Sequence, residues 1–146
     1  MKITTAFENN QEIPAIYTCL GKNISLPLHF ENLPETTKSL VLIFEDADAE
    51  PVWTHWLLFN IPPEAVQTEA GKIPAGATEG LANNHSFGYE GPCPKYFKGI
   101  HHYYLKVFAL NATLNLPAAS EREAVEKAME GCIVDSVVHV GICSSK

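Results

Sequence analysis

The chain has 146 residues, 46% of them hydrophobic and 18% charged, with a net charge of −7. That is the length and balance of one ordinary folded domain, expected over residues 1–146, and it excludes a disordered chain. Ten basic residues stand against seventeen acidic ones, with Arg122 the single arginine, and no apolar run approaches the roughly 20 residues of a membrane span, so neither nucleic acid nor a membrane span is expected.

Glycine and proline divide the sequence into short runs rich in Val, Ile, Leu, Phe and Tyr. These runs predict strands over 24–30, 39–46, 54–61, 101–110 and 133–142. Pro27 lacks an N–H and predicts an edge position for the first of them. One helix is predicted near the C-terminus. Ser120 and Glu123 have the spacing of a capping box, Ala124, Val125, Ala128 and Met129 fall on one face, and Gly131 supplies a stop. Many strands and one late helix imply a mostly β fold, an antiparallel β-sandwich with a C-terminal helix packed against it. The four cysteines, Cys19, Cys93, Cys132 and Cys143, form no Cys-x-x-Cys pair. With no apolar leader at the N-terminus, a cytoplasmic protein with reduced, mostly buried thiols is expected.

Side chains alternate along a strand, so each strand can be read as two faces. Leu40, Leu42 and Phe44 share a face that ends in Asp46. Leu57, Phe59 and Ile61 share one that begins with His55. Leu105, Val107 and Ala109 share one that begins with His101 and Tyr103, while His102 and Lys106 lie opposite. Three strands thus each place an ionisable group at one end of a core-facing row. A hairpin between 40–46 and 54–61 is expected to bring Asp46 beside His55, where the carboxylate fixes the imidazole tautomer and favours its charged form. Gly88-Tyr89-Glu90-Gly91-Pro92-Cys93-Pro94 is a stiff loop whose glycine amides could face an anion. Lys95, Lys98, His101 and His102 make the following stretch the most basic of an acidic chain. Trp53 falls on the His55 side and is placed to wall a pocket, whereas Trp56 falls opposite.

Glu45-Asp46-Ala47-Asp48-Ala49 followed by Trp53-Thr54-His55-Trp56 resembles the first signature of the phosphatidylethanolamine-binding protein family. Gly88-Tyr89-Glu90-Gly91-Pro92-Cys93-Pro94 followed by His101-His102-Tyr103 resembles its second. Ala128-Met129-Glu130-Gly131 leading into Val140-Gly141 is similar to the prokaryotic Raf-kinase-inhibitor-like branch. Ala47 departs from the usual proline, and the loop over 49–52 is short. The resemblance implies a β-sandwich with a small pocket for phosphate or a phosphorylated headgroup. It carries the pocket onto Asp46, His55, Gly91, His101 and Tyr103, with Trp53 and Pro92 on the wall and Asp48 bracing the loop. It further implies a non-enzymatic binder, without cofactor, that regulates a kinase or inhibits a serine protease. A homodimer through an exposed sheet is left open.

Two enzyme readings compete with this one. Asp46, His55 and His101 are suitable zinc ligands for a metal-dependent hydrolase, although no metal-binding spacing is present. Cys93 and His101 could form a nucleophile pair, although Cys93 sits between two prolines and nothing marks an activated thiolate.

Overall fold

The most apolar run of the sequence becomes the centre of the molecule. Residues Ser39–Asp46 form strand β4, and all eight are buried. The computed structural model describes residues 1–83 and 88–145. In chain order its elements are β1 (Lys2–Thr4), β2 (Gln11–Glu12), β3 (Leu28–Glu31), β4, β5 (Trp53–Ile61), β6 (Gln67–Thr68), β7 (Thr78–Glu79), β8 (Ile100–Leu110), α1 (Arg122–Met129) and β9 (Ile133–Ser144). No helix among them is long and apolar enough to cross a membrane.

Two sheets face each other. The smaller runs β1-β3-β6 and is antiparallel; the larger runs β2-β9-β8-β4-β5-β7. Within the larger sheet only the short β2–β9 pairing is parallel. Between the sheets lies a core of Ile3, Leu28 and Phe30 from one side and Leu42, Phe44, Trp56, Leu58, Tyr103, Leu105 and Val107 from the other. On the far side of the larger sheet, Val41, Ile43, Leu57 and Phe59 pack against Val125 and Met129 of α1. With both faces covered, β4 reads as a continuous apolar run rather than an alternating one.

The first predicted strand is corrected. Pairing begins only at Leu28, and β3 is the middle strand of its sheet rather than an edge. Pro27 stands outside the ladder, where its missing N–H costs nothing, and its carbonyl accepts a hydrogen bond from the Thr5 hydroxyl. The helix falls where expected but without the capping box. Its N-cap is Glu121, which makes no side-chain cap bond, while the Ser120 hydroxyl donates to the Pro117 carbonyl instead. Val125 and Met129 are buried while Ala124 stays exposed. Gly131 ends the segment with φ at 80°, a conformation that glycine adopts without strain.

The second correction concerns β5 and decides where its histidine points. Two irregularities interrupt its pairing with β4. Phe44 pairs with Trp56 and Glu45 with Thr54, so His55 is the extra residue of a bulge. His55 therefore joins the same inner face as Trp56, beside Phe44 and Tyr103. Leu57 and Phe59 turn outward to the helix side. A second extra residue, Asn60 with φ at 51°, returns Ile61 to the inner core.

Candidate functional site at the end of the central strands

Strands β4, β5 and β8 end together, and the end carries the charged residues. Asp46 lies opposite Tyr103 on one side and Trp53 on the other. Directly opposed residues share a face of the sheet, with side chains about 5 Å apart. Asp46 is only 5% exposed, and a carboxylate so buried must be partnered. Its Oδ2 accepts from His101 Nδ1 at 2.7 Å, and its Oδ1 from the Asp48 amide at 2.9 Å. The histidine partner of Asp46 is thus His101, not the His55 expected from the hairpin, because the bulge moves His55 along the strand. The His101 ring lies flat on Phe97, with centroids 3.7 Å apart. Among the described residues, His101 Nε2 has no hydrogen-bond partner.

His55 is held differently. Its Nδ1 pairs with the Glu90 carbonyl at 2.6 Å and, as that oxygen can only accept, must carry the proton. Burial penalises the imidazolium and pushes the His55 pKa below its ordinary value, against weaker opposing effects of the Glu90 carbonyl and the Asp46 charge. Asp46 does favour the charged form of His55, as expected, but burial outweighs it and the net shift is downward. Tyr103 is buried with its ring edge against His55. Burial and then the Asp46 charge raise its pKa far above 10, so its hydroxyl stays protonated and able to donate.

The loop over 88–94 meets the N-terminal segment. The Gly91 amide, expected to face an anion, donates instead to Asn23 Oδ1 at 2.9 Å. Glycine is needed there because a Cβ would strike the Tyr17 carbonyl. The Pro92 carbonyl accepts from the Cys19 amide at 3.0 Å, and the Tyr89 hydroxyl donates to the Tyr17 carbonyl at 2.7 Å. These contacts align Cys19 and Cys93, which form a disulfide across 74 residues of sequence. The expectation of four reduced cysteines is corrected accordingly: Cys132 and Cys143 are free, and Cys19 and Cys93 are not. A disulfide-bonded Cys93 has no thiolate to offer, which removes the Cys93–His101 nucleophile pair. Cysteine usage no longer argues for a reducing compartment.

Trp53 is 39% exposed beside Asp46, at the rim. Asp48 accepts both the amide and Nδ1 of His102 at 2.7 Å, bracing the loop after β4. The geometry thus joins Asp46, His101, Tyr103 and His55 directly, and Gly91 and Pro92 through the Glu90 carbonyl. Among the described residues, no three His, Cys, Asp or Glu side chains are grouped to hold a metal ion. Sequence reasoning missed Phe97, Asn23 and Cys143. Phe97 left a faint signal, as an aromatic inside the basic stretch before His101. Asn23 and Cys143 left none, because both act through pairings distant in sequence.

A β-sandwich with this end cluster can be set beside known proteins. The family model of the phosphatidylethanolamine-binding protein matches residues 3–143. The chain belongs to that family. A UPF0098 protein of Methanothermobacter thermautotrophicus is 41% identical over 145 residues, covering 95% of each chain. Another UPF0098 protein, of Pyrococcus horikoshii, is 42% identical over 153 residues, covering all of this chain and 77% of the relative. The crystal structure of a phosphatidylethanolamine-binding protein homologue from Chlamydia trachomatis superposes with a TM-score of 0.92 at 33% identity, covering 99% of this chain and 97% of that one. Escherichia coli YbcL shares the fold, with a TM-score of 0.89 at 24% identity over 99% of this chain and 98% of its own.

Proposed function

We propose that this member of the phosphatidylethanolamine-binding protein family is a binding protein that takes a small phosphate-like anion at the end of β4, β5 and β8. The carrying observation is the Asp46–His101 pair. Asp46 accepts the Nδ1 proton of His101, which fixes the ring and leaves Nε2 to meet a ligand. Protonation at Nε2 makes a cationic donor, and an arriving anion favours that protonation. The Tyr103 hydroxyl is a second donor that cannot ionise at neutral pH. His55, held neutral by burial, lines the site as a polar wall.

Side chains, not the Gly91 amide, supply the donors in this reading. Gly91 and Pro92 shape the wall by holding the loop against the N-terminal segment, and Trp53 closes the rim. A phosphorylated headgroup or free phosphate both present the required oxygens. Family membership supports binding over catalysis, and regulation of a kinase or serine protease partner, alone or as a homodimer, extends the proposal by resemblance. The test is calorimetric titration with orthophosphate and phosphorylethanolamine. Wild type is expected to bind both, and His101→Ala to lose at least about tenfold in affinity, the equivalent of one charge-assisted hydrogen bond. Unchanged affinity in His101→Ala would reject the site.

A further inference from the structure

Residues 93–99 lead into β8 and are anchored at their two ends. At one end Cys93 is bonded to Cys19, and the short turn Pro94–Tyr96 closes with the Tyr96 amide on the Cys93 carbonyl at 3.1 Å. At the other, Gly99 turns the chain with φ at 83°. Its amide donates to Ser145 Oγ at 3.0 Å, and its carbonyl accepts from the Ser145 amide at 2.9 Å. Between the anchors a recess of about 360 Å³ lies against the segment, lined by Pro94, Phe97 and Ser145. Lys95, Tyr96 and Lys98 are exposed, Tyr96 to 86%. Phe97 turns inward between them, onto the core and onto the His101 ring.

The two rings lie 15° from parallel with centroids 3.7 Å apart. That is the contact distance of carbon atoms, so the rings overlap with little sideways offset and Phe97 covers one face of the imidazole. Aromatic pairs left to themselves favour an offset or edge-on arrangement, so the overlap is imposed by the anchored segment. The Asp46 bond fixes one atom of His101, its Nδ1, but the torsion that turns a histidine ring is broad. The hydrogen bond sets a point and the stacked face sets a plane; together they set the direction of Nε2. We infer that Phe97 is a positioning residue for His101, holding the imidazole plane so that Nε2 faces the ligand before the ligand arrives. The inference rests on the anion site proposed above and adds a residue that acts through the histidine rather than on the anion. A ring set in advance loses less freedom on binding, and the gain appears as affinity.

The experiment measures orthophosphate affinity by calorimetry and the His101 ring protons by NMR, on the oxidised full chain. In wild type the Phe97 ring should shield those protons and give nuclear Overhauser contacts to them, a signature that general loosening of the fold does not produce. Phe97→Leu should remove the shielding and weaken orthophosphate binding about three- to tenfold, the worth of one aromatic pair. Phe97→Tyr, which keeps the ring, should restore both. Tyr96→Ala, beside it on the same segment, should change neither. In a His101→Ala background Phe97→Leu should cost nothing further. Unshielded His101 protons in wild type overturn the inference without any variant. So do unchanged affinity in Phe97→Leu, the same loss in Tyr96→Ala, or the same loss with and without His101, and each of these leaves the anion site standing. Wild-type affinity in His101→Ala alone rejects the anion site, and the inference falls with it.

Discussion

Glu45 and Asp46 are neighbours on β4, both carboxylates and both about 5% exposed or less, yet they do opposite work. Glu45 points to the helix side of the sheet. There Arg122 of α1 reaches its Oε1 at 2.7 Å and Lys106 of β8 its Oε2 at 3.2 Å, while Arg122 also contacts Thr54 and Glu126. Asp46 points to the core side, between the Tyr103 hydroxyl and His101, and the histidine keeps a nitrogen unpartnered among the described residues. A carboxylate paired with two cations from α1 and β8 holds the helix on the sheet. A carboxylate that orients one histidine leaves that histidine's charge available. Burial of an acid therefore does not mark a site by itself; the free valence of its partner does.

The largest test of this contrast concerns how each region is braced. The site loop is tied covalently, by Cys19–Cys93 across 74 residues. Replacing both cysteines by serine should cost about 4 kcal/mol in urea unfolding, from the freedom returned to the unfolded chain. It should also weaken phosphomonoester binding. The helix side is tied by charge. Arg122→Met strands the buried Glu45 with one cation and should cost about 2–3 kcal/mol, below the figure for fully buried pairs because Arg122 is about a quarter exposed. Phosphate affinity should not change. Loss of affinity in Arg122→Met without loss of stability would mean that the two sides are coupled and the contrast is false.

Asp46→Asn acts the other way. It should lower phosphate affinity about tenfold, since an amide does not fix the His101 tautomer and orientation as the carboxylate does. Its effect on unfolding should be smaller than that of Arg122→Met. Affinity unchanged by Asp46→Asn would show that Asp46 is structural, like Glu45.

The pattern of apolar faces in the sequence was enough to find β4, β8, β9 and the inner row His101, Tyr103, Leu105, Val107 and Ala109. It also put Asp46 and His101 at the same end of the sheet, where they form a hydrogen bond. It failed on β5, where strict alternation set His55 with Leu57 and Phe59 and apart from Trp56. Two extra residues, His55 and Asn60, each shift the register by one, and a shift of one reverses every face. Nothing local announces His55 as a bulge. The Cys19–Cys93 pairing was hidden for a related reason: the backbone contacts that align the two residues join segments far apart in sequence. Gly91 was recognised as a special residue but given the wrong reason. Its amide is taken by Asn23, and the glycine answers to the nearby Tyr17 carbonyl.

A smaller effect follows from His55. Burial lowers its pKa below the ordinary 6.5, so below that pH the unfolded chain takes up a proton that the folded protein resists. Stability should be undiminished above about 6.5 and should fall as pH drops through 6.5 toward the lowered value. His55→Asn should flatten that part of the stability profile measured by urea unfolding. An unchanged slope would place the acid sensitivity on another group. Smallest of all is a labelling contrast. Iodoacetamide at neutral pH should modify the partly exposed Cys132 and spare buried Cys143, whose thiol sits near 11, and disulfide-bonded Cys93.

The central claim is that Asp46 holds His101 so that its Nε2 meets an anion. Imidazole nitrogen-15 spectra recorded during an orthophosphate titration near neutral pH test it directly. The account predicts that His101 is bonded through Nδ1 before phosphate is added. It predicts that His101 Nε2 then shifts saturably toward the protonated form, that His55 moves with it, and that His29 and His139 stay still, as should His85, which lies outside the described residues. A His101 signal that ignores phosphate, or that shows an unprotonated Nδ1 at the start, would contradict the account.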